Sequence, residues 1–136
     1  MYTMKQACEA LNMRYETLRF YCDEGLVPNV KRDSNNYRKF DDRDLNWLKS
    51  LLCLKRCGMS MKDMKSYMHL CMQGFSSVNE GKEILDVQKK KLLEQMEHIQ
   101  NNIDFIDKKQ HYFDEVLMGN ITYTSNLIDV EGSDIL

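Results

Sequence analysis

Residues 14–40 read RYETLRFYCDEGLVPNVKRDSNNYRKF, and two patterns meet inside them. Tyr15 to Glu24 has helical spacing, with Leu18, Tyr21 and Cys22 on one face and Arg14, Tyr15, Thr17 and Arg19 left for the others. Gly25 stops that helix, and Leu26, Val27 and Pro28 lead the chain out of it. From Val30 to Phe40 the polar cluster Asp33-Ser34-Asn35-Asn36 separates two β-favouring flanks, which reads as a hairpin. Lys31, Arg32, Arg38 and Lys39 surround Tyr37 in that hairpin. A short helix followed by a basic hairpin is the layout of a winged helix-turn-helix. In that layout the helix fills a major groove of double-stranded DNA and the hairpin lies along the phosphates.

The residue types suit those tasks. Arginine forks match guanine edges and phosphates, and Tyr and Thr hydroxyls match phosphates. The expected DNA contacts are Arg14, Tyr15, Thr17, Arg19 and Tyr21 on the helix, and Lys31, Arg32, Tyr37 and Arg38 on the wing. Each half alone also reads as an ordinary charged surface helix or a solvated loop. Their adjacency favours the nucleic-acid reading.

Working outward, Thr3 reads as the N-cap of a helix from Met4 to Leu11, with Glu9 too far along to complete a capping box. Asn12 and Met13 make a tight link to the next helix, so the pair forms a helix-turn-helix. On the other side, Asp41 or Asp42 caps a third helix, Arg43 to Cys57. Leu45, Leu48, Leu51 and Leu52 give it a broad apolar face, and Gly58 ends it. Ser60 caps a fourth helix, Met61 to Met72. Its many methionines read as an adaptable core rather than a cofactor box.

From about Asn79 to Met118 the pattern changes. Leu85, Lys89, Leu92, Met96, Ile99, Ile103, Ile106, Gln110, Phe113 and Leu117 fall alternately four and three apart. One helix with that repeat and polar remaining faces has nowhere of its own to bury the seam, so a coiled-coil homodimer is expected. Leu92, Met96, Ile99, Ile103, Ile106, Phe113 and Leu117 are the expected dimerisation residues. At 1.5 Å per residue such a helix is roughly 60 Å long. The expected fold is all-α with a small β-hairpin wing. Residues 1–73 form the winged helix-turn-helix domain with two supporting helices, 78–118 the coiled-coil dimerisation helix, and 119–136 a flexible tail.

The totals agree with this organisation. The 136 residues contain one Pro and six Gly, which favours helices with few turns. Residues 1–72 carry thirteen Lys and Arg against nine Asp and Glu, whereas residues 73–136 carry six against twelve. A basic front and an acidic rear suit a chain that meets an anionic polymer with one half only. No run reads as a membrane span or signal peptide, so the expected location is the cytoplasm. The five Cys at 8, 22, 53, 57 and 71 then read as thiols rather than a disulfide framework. No Ser/His/Asp order, phosphate-cradling Gly loop or paired carboxylates point to an enzyme, and no cofactor or metal site is expected.

Three stretches carry a resemblance. TLRFYCDEGLVP, then YRKFDDRDL, then LKRCGMSMKDM ahead of a coiled-coil helix, are similar to the MerR family of bacterial transcription regulators. The family signature reads roughly T-L-R-Y-Y-E-x-x-G-L, then a Pro, then a Y-R-x-Y wing. This chain keeps Thr17, Leu18, Arg19, Tyr21, Gly25, Leu26, Pro28, Tyr37 and Arg38, and has Phe20, Cys22 and Phe40 at the other signature positions. The resemblance implies a homodimer joined by an antiparallel coiled coil and bound to an inverted repeat in promoter DNA. It also implies activation by distorting that DNA for RNA polymerase.

The resemblance further orders the signals such a dimer would answer. No Cys follows Cys71, and Ser77, Val78 and Asn79 open the long helix where the family's metal sensors carry a Cys. The chain after Met118 is too short for a multidrug-type ligand domain. LLCLKRCG at 51–58 resembles the third-helix segment of the small aldehyde- and thiol-stress branch, which makes Cys53 the expected effector-sensing residue. A thiolate is the reactive species, and Lys49, Lys55 and Arg56 lie close in sequence. The competing reading of Cys53 is a small core residue among Leu51, Leu52 and Leu54. Constitutive DNA bending, or sensing of a small ligand or soft metal, stays open beside the thiol reading.

Overall fold

A computed structural model of the chain describes residues 1–130. The elements run β1 (Tyr2–Thr3), α1 (Met4–Leu11), α2 (Tyr15–Asp23), β2 (Lys31–Arg32), β3 (Arg38–Phe40), α3 (Asp42–Arg56), α4 (Met61–Met72), a 3₁₀ turn (Gly74–Ser77) and α5 (Val78–Leu117). The fold is mostly helical, with one small antiparallel sheet in the order β1-β3-β2. Its registers pair Tyr2 with Phe40 and Thr3 with Lys39 on one side of β3, and Lys31 with Lys39 and Arg32 with Arg38 on the other. The wing is therefore three strands rather than the expected two. No described helix is long and apolar enough to cross a membrane.

Local sequence accounts for most helix boundaries. Thr3 Oγ1 accepts the Gln6 N–H at 3.1 Å, while Gln6 Oε1 accepts the Thr3 N–H at 3.0 Å. This is a complete capping box, closed by Gln6, so the expectation that Thr3 caps alone is corrected. A second box opens α3, where Asp41 and Asp44 each accept the other's backbone N–H at 2.8 and 2.9 Å. Ser60 accepts the Asp63 N–H and opens α4. Asn12 at φ +50° lets the chain turn sharply from α1 into α2, and Gly58 at φ +85° does the same after α3.

The core gathers one face from each of the first four helices and the end of β3. Leu18, Tyr21, Leu26, Phe40, Leu48 and Leu51 are completely buried. Each of the leucines and Phe40 contributes about 1.5–3 kcal/mol of burial. Trp47 adds a polar tie: its indole N–H donates to the Leu26 carbonyl at 2.6 Å, while its ring stacks on Tyr67 at 6.3 Å. This pins α3 to the turn that ends α2. Lys65 of α4 reaches Glu24 at the same end at 2.7 Å. The carriers of the expected DNA contacts are thus braced from behind by α3 and α4.

The chain divides into two compact units, Met1–Lys90 and one that begins at Lys91. In the second unit, α5 leaves much of its apolar surface open, and the residues after it turn back along it. Tyr112 Oη accepts the Thr124 N–H at 2.6 Å and lies 3.0 Å from the Thr124 carbonyl, which its own O–H can reach. Tyr123 packs its ring on Tyr112 at 6.4 Å. The expected flexible tail begins at residue 119, and its residues 131–136 lie outside the described residues.

Candidate nucleic-acid interface

The wing tip is built by Asp33. Its Oδ1 accepts the N–H groups of Asn35 and Tyr37 at 2.9 and 3.0 Å, and its backbone exchanges bonds with Asn36 and Tyr37. Asn36 sits in the left-handed region at φ +66°, which asparagine tolerates better than most residues. Arg32 straps the tip from the side by donating from Nη1 to the Asn36 carbonyl at 2.9 Å. These bonds fix the loop without using the Tyr37 side chain, which is 69% exposed.

The wing and α2 meet at Asp23. Arg38 Nη2 on β3 donates to Asp23 Oδ1 at 2.7 Å, and Arg19 Nε on α2 lies 3.8 Å from Asp23 Oδ2. One carboxylate therefore holds an arginine from the helix and one from the wing in a single patch. Arg14 and Tyr15 open α2 and are exposed, as is Arg19, while Thr17 is half-buried. Helix and wing expose Arg14, Arg19 and Arg32 with the rings of Tyr15 and Tyr37, while the Arg38 side chain at the junction is 17% exposed, and such residues suit phosphates and base edges.

The match to known proteins agrees with that geometry. Residues 2–71 match the family described as MerR HTH family regulatory protein. The chain belongs to the MerR family. MerR-family proteins are DNA-binding transcription regulators and not enzymes, and this one carries their fold. It is 37% identical over 112 residues to an HTH-type transcriptional regulator of Haemophilus influenzae, spanning 82% of this chain and 83% of that protein. It is 30% identical over 89 residues to the HTH-type transcriptional regulator AdhR of Bacillus subtilis, spanning 65% and 64%. Among solved structures it resembles HiNmlR, a MerR family regulator lacking the sensor domain and bound to promoter DNA. The TM-score is 0.71 at 35% identity, over 86% of this chain and 89% of that one.

Two expected DNA contacts of this MerR-family chain sit elsewhere. Tyr21 is fully buried, its hydroxyl enclosed and without a protein hydrogen-bond partner. It shares the core face with Leu18, and burial pushes its phenol up from the ordinary value, so it is a packing residue rather than a surface contact. Lys31 is committed to the base of the wing. Its ammonium lies 2.9 Å from Asp41 and 3.2 Å from the buried Asp44, and it also donates to the Asn29 carbonyl at 2.7 Å. The bond from Lys31, followed by the bond from the Asp44 backbone, holds the Asp41 carboxyl down at about 2. With its donors spent on two capping acids, Lys31 anchors the wing to the start of α3.

Beside the expected contacts, Asp23 escaped the sequence reading, and Phe20 entered it only as a departure from the family signature. Asp23 had no motif to mark it, since an acid in a basic patch looks like noise until the fold brings Arg38 to it. Phe20 is nearly half exposed on α2 beside Arg19. An exposed aromatic on a helix meant for a groove is a detectable signal, and it suits a thymine methyl or sugar edge.

The remaining expected residues lie outside this patch. Cys53 and Cys71 are exposed, and Cys8, Cys22 and Cys57 are half-buried. Burial pushes the Cys8 and Cys22 thiols up, which makes them poor nucleophiles. On α5, Leu92 is half-buried, whereas Met96, Ile99, Ile103, Ile106, Phe113 and Leu117 are exposed in the single chain. Among the described residues no three metal-ligating side chains gather.

Proposed function

We propose that this chain is a homodimeric promoter-binding regulator that places α2 in a major groove and the wing on the flanking phosphates. It activates by distorting the bound DNA for RNA polymerase, with Cys53 as the sensor of reactive aldehyde or thiol stress. Residues 1–73 serve as the reader and 78–118 as the dimerisation helix. The observation that carries the DNA reading is Asp23, which gathers Arg19 and Arg38 into one cationic patch spanning helix and wing. The promoter-bound state of HiNmlR supports the same use of this face.

The dimer reading rests on exposed apolar surface. Ile99, Ile103 and Ile106 are each about half exposed in one protomer and recur at coiled-coil spacing. The sensing reading rests on the exposure of Cys53 and its place on α3. Lys49 lies one turn before it on α3 and Arg56 one turn after. With an aldehyde, the thiolate sulfur bonds to the carbonyl carbon, the C=O π bond opens, and the oxygen takes a proton to give a hemithioacetal.

The test is transcription from a bound promoter with and without a small aldehyde, for the wild type and for Cys53→Ser. Unchanged promoter affinity with loss of the response supports the sensor. A response that survives in Cys53→Ser overturns it. Equal transcription from both proteins under every condition would favour a constitutive DNA-bending regulator.

A further inference from the structure

Gln88 is the one buried residue of α5 among those described. A glutamine amide taken out of water must be partnered, or it costs stability. Its Nε2–H donates to the Cys57 carbonyl at 2.6 Å. Cys57 is the C-cap of α3, and its own N–H returns to the Cys53 carbonyl at 3.0 Å. The next residues close the helix end from within: Gly58 N–H bonds to Lys55 and Met59 N–H to Leu54. The Cys57 carbonyl is one of the acceptors a helix end leaves over, and Gln88 satisfies it from outside. A Cβ placed on Gly58 would stand 3.9 Å from Gln88 Nε2, so the amide lies against the turn itself.

The neighbours of Gln88 on α5 divide by face. Ile84, one turn earlier on the same side, packs on the core of the first unit. Leu85, Lys89 and Leu92 flank Gln88 on the side that carries the coiled-coil repeat. The residue that ties α5 to α3 therefore adjoins the start of the seam. Its hydrogen bond exists at one register only. A slide of α5 by one turn, about 5.4 Å, carries the donor out of range. Bond made and bond broken are two discrete arrangements, which is what transmission between sites requires.

We propose that Gln88 is the positioning residue that sets the register of α5 on the last turn of α3. The turn bearing Cys53 and Cys57 and the start of the long helix then move as one body. For its effect on DNA this rests on the distortion mechanism proposed above; the latch itself does not.

The test uses the full chain with Gln88→Met, which keeps length and burial but removes the donor. Gln100→Met, at an exposed position of the same helix, is the control. Hydrogen exchange on the free protein reads the latch. Amides 57–59 and those of the first three turns of α5 should exchange together roughly tenfold faster in Gln88→Met, the loss expected of one buried hydrogen bond. Unchanged exchange at 57–59 overturns the proposal. End-labelled duplex, selected by the wild-type protein from a random pool, reads the consequence by energy transfer. Gln88→Met should bind it within about threefold of wild type and yet hold it at a different end-to-end distance, with Gln100→Met matching wild type. A purely structural cap would lower stability and leave the bound duplex unchanged, and that result also overturns the proposal. If wild type itself leaves the end-to-end distance unaltered on binding, the distortion mechanism fails, and the exchange result alone decides the latch.

Discussion

Replacing Tyr21 by Phe separates a core role from a DNA role with one atom. The ring is completely enclosed and its hydroxyl finds no protein partner. A buried, unbonded polar group costs roughly 1–3 kcal/mol relative to an apolar one of the same shape. Phe keeps the ring volume, so no cavity opens to offset that gain. Tyr21→Phe is therefore expected to be as stable as wild type or more stable by up to about that amount, against the usual loss of about 1 kcal/mol for a point change. Promoter affinity should stay within twofold. The assay is urea unfolding at matched protomer concentration, because association adds to apparent stability, with the slope checked for constancy. Binding to a labelled promoter duplex at fixed salt completes the pair. A stability loss above about 1 kcal/mol would show that the hydroxyl is bonded in the native state. A tenfold loss of affinity with intact stability would place it on a phosphate and refute the core assignment.

Three further outcomes follow from the interface. Arg38→Met should flatten the dependence of log affinity on log salt by about 0.9, the share of a single neutralised phosphate; an unaltered slope would remove Arg38 from the DNA surface. Paired Ile99→Glu and Ile103→Glu changes should leave the chain monomeric in sedimentation, with the fold of the first unit intact by circular dichroism; a persisting dimer would refute the seam. The wing anchor has a sign fixed by its shifts. The Asp41 carboxyl is lowered from 3.8 to about 2, so its stabilisation is complete above pH 3.8 and is lost as pH falls toward 2. Lys31 is raised above 10.5, chiefly by the same bond, so its share is complete below that value and is lost as pH rises through its folded value. Asp41→Asn should reduce the acid limb of the stability profile between about pH 4 and 2, and an unchanged limb would show that the anchor is not formed in solution.

Helix positions were legible because their causes are local. Thr3, Asp41 and Ser60 cap the helices they precede, and Gly58 turns the chain where the leucine face of α3 ends. The basic hairpin was legible from the turn residues Asp33 to Asn36, and the family resemblance from Thr17 to Pro28. What escaped was non-local. β1 is two residues long, too short to show alternation, and it exists because β3 offers it an edge some forty residues later. Lys31 looked like a phosphate ligand because charge alone does not reveal whether an acid waits behind it; Asp41 and Asp44 do. Tyr21 satisfied two patterns at once, a core face and a family motif, and packing decided between them. Gln88 broke the polar surface of α5 without any mark in the sequence, because its carbonyl partner is thirty-one residues away.

The pairing of Tyr2 and Thr3 with Phe40 and Lys39 has a consequence for the order in which the reader comes into being. During synthesis the first strand emerges about forty residues before the strand it pairs with, and Thr3 must meanwhile cap α1. The three-stranded wing therefore cannot assemble before residues 38–40 have been made. Helix, turn and wing become competent together, once Phe40 and the core residues of α3 and α4 that pack with it have left the ribosome. A nascent fragment shorter than that offers nucleic acid no finished surface. A fusion placed ahead of Tyr2 would hang from the outer edge of the same sheet.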